Sequence, residues 1–347
     1  MNLANLMMRL SVALTDKKKS TIKEVAALAE VSIGVVSRVL NPGSGSVSER
    51  TRQRILEAMQ TLNYTPQSAA RELKTSMNNT IGLVVADIAN DFFSEISDLI
   101  VRRAREMAMN VILVTTQEDP LLERESLSML MQKRVKAIIA TPTSANSDMW
   151  QSISEMGIAI VFIDRYLSEV THASVIGFNN EASACEATRY LAQQGHRRIG
   201  WISGPLNTST SLQRLKGYKQ GLKAYGIDWE KQYAVVKNFR DPLASQALDE
   251  LLSLQEPPTA IIIGNTSIAP MIMSRIRQLK LSVPEDLSLI VYHDSHWSRL
   301  LSPSISVIKH PLEELADKAL LSLSGERQKP CELNSTLIKR ESVARVK

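Results

Sequence analysis

The chain holds 347 residues, 44% of them hydrophobic, which is length for about two domains with a buried core in each and excludes a disordered or fibrous protein. Two cysteines, Cys185 and Cys331, make no disulfide framework, so a reducing cytosol is the expected compartment. The formal charge of +5 sits at one end: up to Asn78 there are eleven Lys and Arg against six Asp and Glu, and the remainder carries equal numbers of each sign. A small basic module on a charge-balanced body suggests that one end meets a polyanion.

Residues 1–19 contain a short apolar run, Leu10 to Leu14, between Arg9 and the Lys17-Lys18-Lys19 triplet. The run is too short for a membrane span, and no small-residue cleavage site follows, so an unordered basic extension is expected rather than a leader peptide. From residue 20 to 64 the spacing predicts three short helices. Thr21 and Glu24 form a capping-box pattern ahead of Ile22, Val25, Ala26 and Ala29, which recur at helical spacing. After a break at Glu30 and Val31, Ser32 stands at the start of a second helix whose stripe is Val36, Val39 and Leu40, leaving Ile33, Gly34, Ser37 and Arg38 facing outward. The run from Asn41 to Ser46 reads as a loop, and Ser48 caps a third helix with Ile55, Ala58, Met59 and Leu62 on one side. Two short helices across a tight turn fit a helix-turn-helix, in which the second helix enters the major groove and brings polar side chains to base edges. Periodicity alone fits a plain three-helix bundle equally well.

The residue order separates the two. The runs TIKEVAALAEVSIGVVSRVLN and VSERTRQRILEAMQTLNYTPQSAARELK resemble the DNA-binding headpiece of the LacI/GalR family of bacterial transcription regulators over some fifty residues in register. The resemblance implies that Ile33 and Gly34 lie at base-reading positions, that Ser37 and Arg38 reach phosphates or base edges, and that Thr21, Ser32, Asn41 and Thr51 contact the DNA backbone. Glu30 stands where the family has a turn glycine, and Val35 where it has a polar residue. Residues 65–78 open on Thr65-Pro66, a helix-start signal, and place Ala69, Ala70 and Leu73 on one side of a segment too short to be stable alone. By resemblance this is a hinge helix ordered on operator DNA, where two copies pair and Leu73 wedges into the minor groove, with Ala70 also among the DNA-binding residues.

Past Asn79 the pattern changes to short apolar runs (IGLVVA, NVILVTT, AIIATP, IAIVFID, RRIGWIS, TAIIIG and LSLIVY) alternating with helical stretches, which predicts parallel α/β sheets covered by helices on both faces. Ligands of such sheets sit beyond the carboxyl ends of the strands. The residues found there are polar: Asp87 and Asn90, Asp164 and Arg165, Arg214, Asn265, and His293 with Asp294. Together they would make a hydrogen-bonding cage for a polyhydroxylated ligand, with Phe92, Phe93, Phe239 and Trp297 as apolar faces.

IGLVVADIANDFFSEI, HRRIGWISGP and RLKGY extend the family resemblance over nearly the whole chain, to a core similar to periplasmic sugar-binding proteins. What this implies is an α/β fold in which an N-terminal three-helix helix-turn-helix domain precedes a two-lobed, periplasmic-binding-protein-like core of parallel sheets over residues 79–347, with crossovers near Ile176, Val307 and Leu337. It also implies an effector cleft in which Arg214 binds hydroxyls, Asn265 and Asp164 line the wall, and Phe239 is a platform. Where the family reads Gly-aromatic-Asp-Asp this chain has Val291-Tyr292-His293-Asp294, and Thr266 replaces a common aspartate, so the effector is expected to differ from the commonest sugars.

His293-Asp294-Ser295-His296 lacks a third spaced metal ligand, and no phosphate loop, nucleophile elbow or catalytic acid pair occurs, so neither metal, cofactor nor enzyme chemistry is expected. The resulting expectation is a cytoplasmic repressor binding a palindromic operator as a homodimer under control of a small molecule, a sugar or sugar derivative. Two rivals share parts of the pattern: a soluble sugar-binding protein, which has no use for Arg38 or Leu73, and an architectural DNA binder whose body only dimerises.

Overall fold

In the computed structural model, which describes residues 20–40, 47–64, 79–238, 240–324 and 329–346, the chain divides into two units between Met77 and Asn78. In the first, the Glu24 amide donates to the Thr21 hydroxyl at 3.4 Å while the Thr21 amide donates to the Glu24 carboxylate at 2.6 Å, the reciprocal cap that starts α1 (Ile22–Leu28). The chain then turns through Glu30 at φ 51°, a left-handed conformation that explains why a glycine is usual there. Helix α2 (Ile33–Leu40) follows. Helix α3 (Glu49–Thr61) begins where Ser48 accepts from the Thr51 amide at 3.3 Å. Val25, Ala26, Ala29, Val36, Ile55 and Ala58 are buried together, with Val39, Leu40, Met59 and Leu62 packed around them, so the predicted stripes meet in one core.

The second unit contains two six-stranded sheets. β1 (Thr80–Val85), β2 (Asn110–Thr115), β3 (Ala137–Ala140), β4 (Ala159–Ile163), β5 (Ser174–Phe178) and β11 (Cys331–Leu333) lie in the order β11-β5-β4-β3-β1-β2. β6 (Ile199–Ser203), β7 (Ala234–Val236), β8 (Ala260–Ile263), β9 (Ser288–Tyr292), β10 (Ser306–Lys309) and β12 (Thr336–Ile338) lie in the order β12-β10-β9-β8-β6-β7. The strand runs are apolar throughout because each sheet is covered on both faces. In the first lobe Ile81, Leu83, Ile139 and Val161 meet α4 (Asp91–Glu106) and α12 (Leu312–Leu321), whereas Val84, Ile138, Ile160 and Phe162 meet α5 (Pro120–Gln132) and α6 (Ser147–Glu155). In the second lobe Ile261, Ile263 and Val291 face α9 (Gln246–Leu252) and α10 (Ala269–Gln278), with Trp297 of the short α11 (His296–Leu300) packed against the same cluster, and Trp201, Ile262 and Tyr292 face α7 (Asn180–Gln193) and α8 (Ser209–Lys223).

All described pairings are parallel except one. β12 runs antiparallel to β10, with Val307 opposite Ile338, because the chain returns from β11 through a two-residue link and cannot gain a parallel approach without a long crossover. The chain passes between sheets after Phe178, after Lys309 and between Leu333 and Thr336, in the links beside Ile176, Val307 and Leu337 and not on those residues.

One close approach positions the cleft. Helices α7 and α8 cross at Gly217 and Gly221, where an added Cβ would stand 2.0 Å from the Glu181 carbonyl oxygen and 2.5 Å from Thr188 Cβ. The glycine of the RLKGY run thus lets α8 lie against its neighbour, with Arg214 one turn earlier on the same helix.

Candidate nucleic-acid interface and interlobe cleft

On the small unit, α2 buries Val36 and presents its other side outward. Ser32, Gly34 and Arg38 are exposed, Ser37 is half-buried, and Ile33 keeps 44% of its surface. An isoleucine this open on an amphipathic helix has no packing reason to be there; apolar contact with a thymine methyl is one use for it. At Gly34 a Cβ would meet nothing closer than Ser32 Oγ at 3.7 Å, so the glycine leaves room for a close partner without any internal need. Thr21 is exposed, with its hydroxyl and amide already tied to Glu24, and Thr51 Oγ1 lies 2.8 Å from Ser48 Oγ. Arg50, Arg52 and Arg54 on α3 are exposed, and the 3.9 Å contact between Arg54 and Glu30 is an open surface pair worth little. Asn41, Ala70 and Leu73 lie outside the described residues.

In the core the strand ends converge as the polar pattern suggests. Arg214 is the centre: its Nε donates to Asn180 Oδ1 at 2.7 Å, its Nη1 donates to the Gly264 carbonyl at 2.9 Å, and its guanidinium lies 4.1 Å from the centre of the Tyr292 ring. Asp164, at φ 62° and buried, sits 3.9 Å from Arg214 and 3.8 Å from Arg165, near both yet within hydrogen-bonding distance of neither. Burial pushes its carboxyl above the usual range, with the two guanidinium charges opposing. Both Nη nitrogens of Arg165 donate to Glu118, at 2.7 and 2.9 Å. The result is a ladder of alternating charge, Glu118, Arg165, Asp164, Arg214, running from the first lobe into the second.

Side chains also bridge the lobes directly. Asn90 caps α4, with its Oδ1 accepting from the Phe92 amide at 3.1 Å, and its Nδ2 donates across the cleft to Ser267 Oγ at 2.8 Å. Asn265 Oδ1 accepts from the Ser267 and Ile268 amides at 2.8 and 3.3 Å, shaping that same turn. Asp87, half-buried, lies 3.6 Å from Arg240. Between these contacts the inner cavity is only about 20 Å³, lined by Asn90, Phe92, Asp164, Arg214, Asn265 and His310 among others. Larger chambers of about 280 and 360 Å³ open on either side, beside Asp87 and Arg240 and beside Ser144 and Asn207. A cavity of about 750 Å³ lies elsewhere, along α7 and the last two strands. It is an open furrow of mixed charge with no chemistry focused on it.

Two expected cleft residues are placed otherwise. Asp294 turns from Arg214 to Arg340 and Arg299, at 2.6 and 2.8 Å. Burial works against its ionised form, but the two guanidinium groups prevail and hold the carboxyl below its usual range. His293, at φ 71°, packs against the edge of Phe92 with its Nε2 3.6 Å from Glu95, outside the inner cavity. Phe239 lies outside the described residues. Sequence reasoning missed Asn180, which orients Arg214, and His310, which lines the cavity while stacked 4.2 Å from Phe178. Burial, helped by the charge of Arg214, holds His310 well below its usual pKa. Neither residue follows a strand of the expected series in a motif, so no local signal marked them.

A basic helix-turn-helix unit carried on a two-lobed α/β core with a polar interlobe cleft defines a DNA-binding transcription regulator. Residues 21–67 match the family described as bacterial regulatory proteins, lacI family, and residues 188–343 match a periplasmic binding protein-like domain. The chain is 32% identical to the ribose operon repressor of Haemophilus influenzae over 336 residues, 94% of this chain and all of that protein. It is 31% identical to the transcriptional repressor PurR of Vibrio vulnificus over 94% of this chain and 99% of that one. Among solved structures, the lac repressor dimer bound to operator and the anti-inducer ONPF aligns with a TM-score of 0.78 at 25% identity, covering 94% of this chain and all of that one. The regulator CelR in complex with cellobiose aligns at 0.68 and 26% identity, over 93% and 100%. The chain belongs to the LacI family of bacterial regulatory proteins; its relatives are transcriptional repressors and not enzymes. No helix among the described residues is long and apolar enough to cross a membrane.

Proposed function

We propose that the protein represses transcription in the cytoplasm by binding a near-palindromic operator as a homodimer, each headpiece placing α2 in the major groove with Ile33, Ser37 and Arg38 toward the bases and Ser32 and Thr51 toward the phosphates. Asn41, Ala70 and Leu73 complete this surface by the family pattern. The effector is a small neutral molecule with several hydroxyls, held in the interlobe cleft by Arg214, Asp164, Asn90 and Asn265. The observation that carries this reading is the coexistence of an outward polar α2 on a basic unit with a buried Arg214 and Asp164 that lie 3.9 Å apart without bonding. Two such groups, desolvated yet not hydrogen-bonded to one another, are poised to bond a hydroxyl that enters between them.

Effector binding changes operator affinity only by its preference for one arrangement of the lobes, typically about 1–3 kcal/mol of coupling. The test is selection of genomic fragments by the purified protein, followed by a screen of sugars for their effect on the complex. Specific binding that changes with one ligand supports the reading. Specific binding indifferent to all of them favours an architectural role, for which the 20 Å³ inner cavity is the one supporting feature. No specific binding refutes it.

A further inference from the structure

The first sheet is covered differently at the strands that lead toward the second lobe. Phe162 of β4 and Val175 of β5 are register partners on the face that meets α5 and α6, and two residues further along that face carries Gly177, with Glu332 of β11 opposite it. There the cover is the loop between β4 and β5, whose Leu167, Val170 and Ala173 are buried. Beneath the loop lies a pocket of about 300 Å³, lined by Val175 and Gly177 together with Pro330 and Cys331. That is the volume of a small ligand site.

Gly177 makes the room. A Cβ there would meet nothing nearer than the Asp164 carbonyl oxygen at 3.8 Å, so no packing demand requires a glycine in this strand. Glycine inside a strand weakens it and often marks a place where something else approaches closely. The loop above is a formed wall, folded into two turns in which the Val170 amide donates to the Leu167 carbonyl at 3.2 Å and the Ala173 amide to the Val170 carbonyl at 3.4 Å. A pocket that exists before its occupant arrives saves the ordering cost of binding.

Its charged groups are of one sign. No Lys, Arg or His stands among the lining residues, whereas Asp164 and Glu332 do. The Asp164 carboxyl faces the guanidinium groups of Arg165 and Arg214, but the exposed Glu332 carboxylate has no hydrogen-bond or ion-pair partner among the described residues. An anionic ligand would meet acids and no cation. A polyol would leave hydroxyls unbonded against Leu167, Val170 and Ala173. An apolar ring under the loop with a cationic arm at Glu332 satisfies both the apolar wall and the unpaired acid.

We propose that this pocket binds a small amphipathic amine, an aromatic ring carrying one short ammonium arm, at a site separate from the interlobe cleft. Asp164 is the one residue that lines both this pocket and the inner cavity. Gln213 of α8 reaches the pocket from the second lobe, and its Oε1 accepts from Asn180 Nδ2 at 3.2 Å, the same Asn180 whose Oδ1 orients Arg214. An occupant therefore lies against β5 and β11, which lead between the lobes, and one hydrogen-bonded residue away from the partner of Arg214. The site stands whether or not the cleft takes an effector.

The test is calorimetric titration of the full chain with phenethylamine and tryptamine, against neutral phenethyl alcohol, anionic phenylacetate, the ringless 1,4-diaminobutane, and glucose. One aryl amine should bind about tenfold or more tighter than phenylacetate, 1,4-diaminobutane or glucose. Glu332→Gln, at an exposed position, should weaken phenethylamine about 3–10-fold, the worth of one hydrogen bond, and bring it near phenethyl alcohol. Gly177→Phe, whose side chain would occupy the pocket, should abolish amine binding while unfolding stays cooperative.

Absence of binding by both aryl amines at millimolar concentration overturns the proposal, as does phenylacetate, 1,4-diaminobutane or glucose binding as tightly as either. Amine binding that Glu332→Gln leaves unchanged overturns it too, whether or not Gly177→Phe folds. Amine binding that survives in a folded Gly177→Phe places the ligand elsewhere and overturns it as well.

Discussion

Gly217→Ala is the sharpest perturbation of the scaffold that holds Arg214. In an isolated helix the change is favourable, since alanine gains about 1 kcal/mol over glycine. Here the new Cβ would stand 2.0 Å from the Glu181 carbonyl oxygen, 2.8 Å from its carbonyl carbon and 3.0 Å from Ala184 Cβ. The first obstacle is backbone in the opening turn of α7, which has no rotamer to change, so the helices must part by about 1 Å or more in a close-packed interior. Overpacking of this kind costs about 1–3 kcal/mol and occasionally more, and a contact this short lies at the upper end. The expected net is a loss of about 2 kcal/mol, read as a lower urea midpoint at unchanged slope, with ligand response weakened because Asn180 on α7 no longer meets Arg214 squarely. DNA contacts of the headpiece are untouched. A variant as stable as the parent, or more so, would show that helix propensity wins and that α7 and α8 do not cross this closely.

Other changes follow from the same geometry. Glu30→Gly relieves a left-handed residue and forfeits only the 3.9 Å surface contact to Arg54, so the headpiece gains about 1 kcal/mol and amide exchange at Val25 and Val36 slows several-fold; faster exchange would contradict the turn geometry. Arg38→Ala weakens operator binding by about 1–3 kcal/mol at fixed salt, and unchanged affinity in a mobility-shift titration removes Arg38 from the interface. Asp294 has its pKa lowered in the fold, so its contribution is present above the ordinary aspartate range and is lost as pH falls through the lower folded value. Asp294→Asn should therefore cost about 2–3 kcal/mol at neutral pH and less in strong acid, and a pH-independent cost would contradict the Arg299 and Arg340 pairing.

What could be read beforehand was what local spacing controls. The Thr21–Glu24 cap, the Ser48 cap and the stripe through Val25, Val36 and Ile55 depend on neighbours within one or two turns, and a three-helix core follows from them. The apolar runs announced the strands because both faces of each sheet are covered. Contacts between distant residues could not be read in this way. Asp294 looks like a cleft acid from its place after β9, but Arg340, 46 residues on, takes it away. Asn90 looks like a helix cap and is one, yet its other end meets Ser267, 177 residues later. His310 sits at a crossover, where no periodicity exists to mark it, and enters the cleft only because α12 carries the chain back to the first lobe. The antiparallel β12 is set by the length of the link before it, which an apolar pattern does not encode.

The central claim is that one chain both reads a duplex sequence and reports the state of its interlobe cleft. Fluorescence anisotropy of a selected promoter fragment with the full protein, titrated with the sugar panel at one moderate salt concentration, tests it most directly. The account predicts tight binding to that fragment over random duplex, a shift in affinity of about 5–150-fold with one ligand, and loss of that shift, with operator binding kept, in Arg214→Ala. Equal affinity for promoter and random duplex would contradict it.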